Sequence, residues 1–189
     1  TELGVQVHGG MGYVEETGVA QFYRDARIAS IYEGTNGIQA IDLVGRKLLR
    51  DGGATVAAFV SDMRGVDAPL ANAGDAFAAL RKAMARALDE LVQCSSYLLT
   101  AEKKDPELVS AAAFDYMMLI GTVIGGWQLA RGALVALEQL TAGGDKAFCE
   151  AQVVMARFYA EHVLPRTMGY AASVSAGSRS TMTLSAEGF

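Results

Sequence analysis

Long stretches with apolar residues at helical spacing, nearly free of proline, most constrain how this chain can fold. Between residues 54 and 164 only Pro69 and Pro106 break the run of helix-compatible residues. Apolar residues recur there three and four positions apart, as they do on one face of an α-helix. Strand-like alternation is almost absent. The sequence therefore predicts an all-α fold, an antiparallel up-and-down helical bundle.

Capping residues and glycines set the predicted helix boundaries. Gly52 and Gly53 supply the left-handed residue that often follows a helix C-terminus. Asp105 and Pro106 suit the N-cap and first position of one helix, and Asp145 suits the N-cap of the last. Helices are predicted over 17–30, 36–51, 56–63, 72–103, 106–140 and 145–165, with a turn over 65–69.

Three of these helices carry apolar stripes that are predicted to be buried. The helix that begins at Asn36 has its stripe at Ile38, Ile41, Val44 and Leu48. The helix over 72–103 turns Phe77, Leu80, Met84, Leu88, Leu91 and Leu98 inward. The last helix has its stripe at Phe148, Val154, Met155, Phe158, Tyr159 and His162.

The glycine pair at 52 and 53 also marks the predicted domain boundary. Residues 1–52 form one predicted region and residues 53–189 another, with a loosely ordered tail from about residue 171. The chain begins at Thr1 in what looks like the end of a helix already under way. We therefore expect it to be a fragment of a longer protein.

Composition argues against several classes of partner. The net charge is −5 and no lysine–arginine cluster occurs, which disfavours nucleic acid and anionic membranes. The most apolar stretch, 116–130, is shorter than the roughly 20 residues that a membrane span needs, so no span is predicted. Cys94 and Cys149 fit free thiols of a cytoplasmic protein, and no metal site is predicted.

One carboxylate stands out as a candidate catalytic group. Glu33 lies in the run from Ile31 to Gln39, on a glycine-punctuated turn between two helical stretches. Burial in an apolar cleft raises a carboxyl pKa and can make such a group a base near neutral pH. Taken alone, the same pattern also fits a solvated turn glutamate, or a carboxylate that favours a helix N-terminus.

Two further segments lie upstream of Glu33. Gln6 to Tyr13 contains paired glycines, which by themselves are most often a helix C-cap but also allow close backbone approach to a ligand. Tyr23 to Ile28 carries the charged residues Arg24, Asp25 and Arg27. This charge cluster fits either an ion-pair network or a contact to a phosphate group.

Together these three segments resemble the C-terminal end of the catalytic region of acyl-CoA dehydrogenases. The specific match covers residues 1–50. Residues 54–189 more loosely resemble the extra C-terminal helical domain of long bacterial members, a type that includes the methylmercaptopropionyl-CoA dehydrogenases. The resemblance assigns 1–52 to the end of the catalytic domain and 53–189 to this extension.

The resemblance implies FAD-dependent oxidation of an acyl-CoA to a trans-2-enoyl-CoA. Glu33 would be the catalytic base that takes the α-proton, while the β-hydrogen leaves as hydride to flavin N5. Tyr32 and Gly34 would contact the substrate, although Tyr32 equally fits a packed core tyrosine. FAD contacts are implied for Thr35, Asn36 and Gly37, and, toward the FAD of a neighbouring subunit, for Gln6, Val7, His8, Gly9 and Gly10.

Several of these expectations concern the molecule beyond this chain. His8 lacks a nearby nucleophile and is expected to be structural or to contact the cofactor through its backbone alone. An electron-transfer flavoprotein as acceptor and a homodimer follow from the family. The isolated chain is expected to bind no FAD and to be inactive. The alternatives are a non-catalytic helical oligomerisation module and a DNA-damage-response relative of the same fold, which should carry a basic groove.

Overall fold

The computed structural model describes residues 1–101, 103–181 and 183–188. Every regular element in these residues is helical, which confirms the all-α prediction. Contacts divide the chain into two compact units, residues 1–39 and residues 40–189. The helices are α1 (Glu2–Val7), α2 (Gly10–Tyr13), α3 (Val19–Ile28), α4 (Asn36–Asp42), α5 (Ala54–Arg64), α6 (Asp67–Asn72), α7 (Ala78–Ala101), α8 (Leu108–Thr141), α9 (Lys146–His162) and α10 (Arg166–Ser175).

The helix after Asn36 changes its winding partway along. α4 continues from Leu43 to Leu49 as a π-helix, and Gly52 and Gly53, which follow its end, have positive φ as predicted. Asp51 accepts hydrogen bonds from the backbone N–H groups of Gly53 and Thr55 and from the Thr55 hydroxyl. The Thr55 hydroxyl has the largest effect on the Asp51 carboxyl and lowers its pKa.

The predicted stripe of this helix is only half right. Val44 and Leu48 are buried, but Ile38 and Ile41 are exposed, and Ala40 is buried in their place. The buried positions thus fall four residues apart, which suits the wider turn of the π-helix better than the predicted three-and-four pattern does.

The core of the second unit surrounds α8. This helix contacts α7, α9 and α10, and consecutive helices joined by short connections are the arrangement of an antiparallel bundle. The six inward residues predicted for the 72–103 helix are all buried, from Phe77 to Leu98. Tyr116 is fully buried, and its hydroxyl lies 2.8 Å from the Ser95 hydroxyl. Burial raises the pKa of Tyr116 to about 12.

Two adjacent glycines let α8 and its neighbours approach closely. A Cβ at Gly125 would collide with the Tyr159 hydroxyl, which donates a hydrogen bond to the carbonyl of Thr122 at 3.0 Å. A Cβ at Gly126 would lie 2.9 Å from the Met84 sulfur and 3.0 Å from Leu164. The Gly125–Gly126 pair is therefore a packing feature of the bundle.

By length and composition alone, α8 could cross a membrane. It has 34 residues, and its most apolar window has a mean hydropathy of 1.7. In this structure, however, α8 has buried residues from Leu108 to Ala136, and these contribute to the core of the second unit. Core helices of this kind share the composition of a membrane span.

Several predicted boundaries were wrong. The segment predicted as a turn over 65–69 instead leads into α6, which covers Asp67–Asn72. Pro69 lies in the first turn of α6, where its missing N–H costs no helical hydrogen bond. The following long helix begins at Ala78 rather than at residue 72, after a 3₁₀ turn over Asp75–Phe77, and it ends at Ala101. Glu102, near its predicted end, lies outside the described residues.

Asp105 does not cap α8, which begins at Leu108. Its carboxylate instead accepts a hydrogen bond from the Ser178 hydroxyl at 2.7 Å. Asp145, by contrast, caps α9 as predicted by accepting from the backbone N–H of Phe148 at 3.1 Å.

The predicted buried stripe of α9 was also wrong. The residues that α9 buries are Cys149, Ala156 and Ala160, with Tyr159 half-buried. Small residues face the bundle because the close approach to α8 leaves little space for large ones. The exposed members of the predicted stripe are Phe148, Val154, Met155, Phe158 and His162.

The loosely ordered tail predicted from about residue 171 does not begin there. α10 runs to Ser175 and buries Val174, and Ser178 is buried against Asp105. The apolar face of α10 packs on α7 and α8, which the Ser- and Ala-rich composition concealed. Among the remaining tail residues, Met182 and Phe189 lie outside the described ranges.

The division between the two compact units falls at Gln39 and Ala40. The reason lies in packing, because Ala40, Val44 and Leu48 belong to the core of the second unit. Cys94 and Cys149 are buried free thiols, as predicted. Burial, with a smaller effect of the nearby Glu90 charge, raises the pKa of Cys94 to about 11.

Candidate functional site

The first glycine-rich segment lies between α1 and α2. Gly9 has φ 60° and directs the chain out of α1, and Gly12 is buried. A Cβ at Gly12 would collide with the carbonyl of Val5 and come within 2.8 Å of the Cβ of His8. This glycine is thus required by the close contact of α2 with α1.

A cleft of about 830 Å³ opens within residues 1–39. Gln6 from the predicted FAD-binding set lines this cleft, together with Tyr13, Tyr23 and Arg24. None of the residues of the Glu33 motif lines it. The two predicted site segments therefore do not meet in this cleft.

The remaining residues of the first segment are open to solvent. Val7, His8, Gly9 and Gly10 are all exposed. The His8 ring Nδ1 lies 2.9 Å from the carbonyl oxygen of Gly4, which is a contact within its own helix. This contact gives the exposed His8 ring a local partner on α1.

The charged cluster on α3 forms a network on the surface of the first unit. Arg24 lies 3.4 Å from a carboxylate oxygen of Glu15, and it donates to the Gln21 side chain at 3.1 Å. Gln21 in turn donates to Asp25 at 2.7 Å. The ion-pair interpretation thus holds for Arg24, whereas Asp25 is hydrogen-bonded to a neutral side chain.

Glu33 occupies an unusual backbone conformation. Its φ is 56°, and it is the one non-glycine residue with positive φ among the described residues. Gly34 follows with φ 101°. Two successive residues in this region reverse the chain sharply between α3 and α4, and a glutamate adopts such a conformation only where its surroundings hold it.

The chain itself does not enclose Glu33 in a dry cleft. Glu33 and Tyr32 are exposed, Tyr32 to 54 %, while Gly34 is half-buried. Thr35, Asn36 and Gly37 are exposed at the start of α4, and a Cβ at Gly37 would meet nothing within 4 Å. The backbone at this position is therefore open to a ligand.

Sequence reasoning missed the role of the last residue in the motif. The side-chain amide of Gln39 donates a hydrogen bond of 2.6 Å to the carbonyl oxygen of Glu33. A signal was available, because Gln39 lies one helical turn after Thr35 and its side chain can reach back over the turn. In the described part of the chain, no group of three or more metal-binding side chains is present.

Comparison with known proteins identifies the family. Residues 1–49 match the model for the C-terminal domain of acyl-CoA dehydrogenases, and residues 53–185 match the model described as acetyl-CoA dehydrogenase C-terminal like. The chain belongs to the acyl-CoA dehydrogenase family.

Curated relatives extend this result. The chain is 45% identical over 162 residues to 3-methylmercaptopropionyl-CoA dehydrogenase of Ruegeria pomeroyi, covering 86% of the chain and 28% of the relative. It is 34% identical over 169 residues to a broad-specificity linear acyl-CoA dehydrogenase of Mycobacterium tuberculosis, covering 85% of the chain and 28% of the relative.

A further relative matches the chain over a much shorter stretch. Short-chain specific acyl-CoA dehydrogenase of Rattus norvegicus is 52% identical over 44 residues, which cover 23% of this chain and 11% of that protein. The chain thus spans less than a third of the length of the curated relatives that it matches over most of its own length.

Proposed function

We propose that this chain is the C-terminal part of an FAD-dependent acyl-CoA dehydrogenase, which oxidises an acyl-CoA thioester to the trans-2-enoyl-CoA. Family membership supports this reaction class. The observation that carries the site assignment is the left-handed backbone of Glu33, because strained residues of this kind cluster at active sites. The activity itself belongs to the longer polypeptide.

In this proposal Glu33 is the base. Its carboxylate takes the proton from the carbon next to the thioester, whose carbonyl makes that proton more acidic. The exposed carboxylate in this chain needs walls from the rest of the polypeptide, since a base of this type works best when water is excluded. In the same proposal, Tyr32 and the backbone of Gly34, next to Glu33, contact the acyl group.

The residues that open α4 fit a bound flavin nucleotide. Thr35, Asn36 and Gly37 present an exposed backbone with open space at Gly37. Gln6 offers an exposed amide in the cleft of the first unit, and Val7 to Gly10 present accessible backbone beside it. Bound FAD would supply the electron sink that accepts the β-hydrogen as hydride.

The separation of the two segments supports their assignment to different cofactor molecules. Gln6 lines a cleft that no residue of the Glu33 motif enters. In our proposal the Gln6 segment contacts the FAD of a neighbouring subunit, while Thr35–Gly37 contact the FAD next to Glu33. A homodimer and an electron-transfer flavoprotein as acceptor complete the proposal and rest on family resemblance. A cytoplasmic location is proposed from the free thiols Cys94 and Cys149.

Residues 53–189 have a second proposed role in packing. The exposed residues Phe148, Met155, Phe158 and His162 lie on one stripe of α9 at spacings of seven, three and four. A regular apolar stripe of this kind is typical of a helix that packs on a partner. This surface favours the oligomerisation alternative for the extension, and it is compatible with the enzyme proposal.

A substitution of Glu33 tests the enzyme proposal. The Glu33→Gln variant of the full-length polypeptide should keep its flavin and lose acyl-CoA-dependent dye reduction by about 10²–10⁴-fold, because the amide cannot accept the proton. Flavin absorbance per polypeptide measures cofactor retention. Glu107→Gln, which removes an exposed glutamate of the second unit away from both site segments, is the matched control and should keep wild-type turnover.

Retained turnover in the Glu33→Gln variant would show that another group is the base. The isolated 189-residue chain offers a separate check. It should bind no FAD and show no flavin absorption band after purification with excess cofactor. A yellow, flavin-loaded preparation would contradict the proposal that most of the cofactor site lies outside this chain.

A further inference from the structure

The unusual backbone of Glu33 must be held by something. An L-residue with a side chain is disfavoured at φ 56°, and the next residue, Gly34, also has positive φ. Such a turn persists when neighbouring groups over-determine it. In this chain such a group must contact the backbone of Glu33 or Gly34.

Gln39 is the residue that contacts this turn from the following helix. Its side-chain Nε2 donates to the Glu33 carbonyl at 2.6 Å. Its own backbone N–H donates to the carbonyl of Thr35 at 3.0 Å, which anchors Gln39 on the first turn of α4. Among the described residues, the Glu33 carbonyl has no second hydrogen-bond partner.

Gly34 leaves the space that this contact needs. A Cβ at Gly34 would lie 3.2 Å from the Cγ2 atom of Ile38 and 3.5 Å from the Nε2 atom of Gln39. A larger residue would press on the amide that holds the Glu33 carbonyl. The glycine after the proposed base thus serves both the positive φ and the approach of Gln39.

We propose that Gln39 is a positioning residue for the base Glu33. By fixing the peptide plane that follows Glu33, its amide sets the direction in which the Glu33 side chain leaves the backbone. A displacement of about 1 Å at a reacting group can cost about a hundredfold in rate. This inference rests on the proposed function, since it assigns Gln39 a role only through the base.

Two substitutions of Gln39 in the full-length holoenzyme test the inference. Gln39→Ala removes the amide, and Gln39→Glu keeps the length of the side chain but replaces the donor with an ionised group that only accepts. Both should lower kcat per bound flavin by about 10–100-fold and leave KM for the acyl-CoA nearly unchanged. With an α-deuterated acyl-CoA, both should show a larger isotope effect, because proton removal becomes slower.

A matched control separates positioning from general loss of an exposed glutamine. Gln21→Ala removes a glutamine amide in the same unit that donates at 2.7 Å to Asp25, away from the Glu33 turn. This variant should keep the wild-type kcat and isotope effect. All rates are divided by flavin content, so a partly unfolded preparation does not imitate a slow enzyme.

Three outcomes would overturn the positioning role. One is kcat per flavin within about twofold of wild type in both Gln39 variants. The second is loss of bound flavin in both variants, which would give Gln39 a purely structural role. The third is an unchanged isotope effect despite a lower kcat.

The Glu33→Gln variant, measured in parallel, distinguishes the two proposals. If Glu33→Gln is inactive while the Gln39 variants keep wild-type rates, only the positioning role fails. If Glu33→Gln retains turnover, the base assignment fails and the positioning role fails with it.

Discussion

The two units of this chain divide chemistry from stability. Within residues 1–39, all of which the structure describes, only Gly12 and Ala20 are buried. Large apolar residues such as Leu3 and Phe22 are exposed. Residues 40–189 contain a continuous core around α8. Yet the first unit holds every candidate site residue, while the second contains no comparable motif.

This difference has a thermodynamic cause. Burial of apolar surface stabilises a fold by about 25 cal/mol per Å², and a chain of about 40 residues seldom buries enough to fold alone. The first unit has 39 residues and almost no core. A site built on such a unit needs support from other parts of its protein, which agrees with the limited share of its relatives that this chain covers.

Cutting the chain between the units should give the largest effect. A polypeptide of residues 36–189, which keeps α4 whole, should unfold cooperatively with a thermal midpoint within a few degrees of the parent chain. A peptide of residues 1–35 should show no cooperative transition, because it buries too little apolar surface. Circular dichroism during heating measures both.

Failure of residues 36–189 to fold would break the comparison, because it would mean that the first unit supports the core. Hydrogen exchange on the uncut chain gives an independent measurement. Amides in residues 1–35 should exchange by local opening, whereas those of α8 should exchange only on global unfolding.

A matched pair of leucine substitutions should give the next largest effect. Leu119 on α8 is fully buried, and Leu119→Ala should lower the free energy of unfolding by about 2–5 kcal/mol. Leu3 on α1 is 74% exposed, and Leu3→Ala should change the free energy of unfolding by no more than about 0.5 kcal/mol. Urea unfolding of both variants, followed by circular dichroism, measures the difference.

An equal loss of unfolding free energy in Leu119→Ala and Leu3→Ala would contradict the division of stability between the units. A change in the urea dependence of either variant would show that its transition is no longer two-state, and hydrogen exchange would then replace it.

Helix positions were more predictable than helix faces. The glycines at 52 and 53 and the cap at Asp145 act locally, so the sequence pattern located them. The buried face of α9 depends on its close approach to α8, where small residues fit and Phe148 and Phe158 do not. Periodicity reports that a helix has an apolar stripe, but packing decides whether that stripe meets the core.

The site shows the same limit at a smaller scale. The motif around Glu33 could be recognised from its residues, since its composition is distinctive over nine positions. The positive φ of Glu33 and the hydrogen bond from Gln39 to its carbonyl could not be predicted, because both depend on the conformation of the whole turn. The exposure of Glu33 likewise could not be predicted from the motif alone.

Glycine substitutions in the two units sharpen the comparison with the smallest expected effects. Gly126→Ala crowds Met84 and Leu164 in the core and should lower global stability by about 1 kcal/mol, since crowding costs about 1–3 kcal/mol and alanine regains up to about 1 kcal/mol of helix propensity. Gly121→Ala, with nothing within 4 Å, should instead be neutral or stabilising.

Gly12→Ala places the same extra carbon in the first unit. The Val5 carbonyl that it meets is backbone and cannot move aside as a side chain can, so the contact between α1 and α2 must open. Because this unit contributes little to global stability, the thermal midpoint should stay within about 2 °C of wild type, while hydrogen exchange within residues 1–14 should quicken. A global loss of stability equal to that of Gly126→Ala would mean that the two units unfold as one, and the separation of site from core would no longer hold.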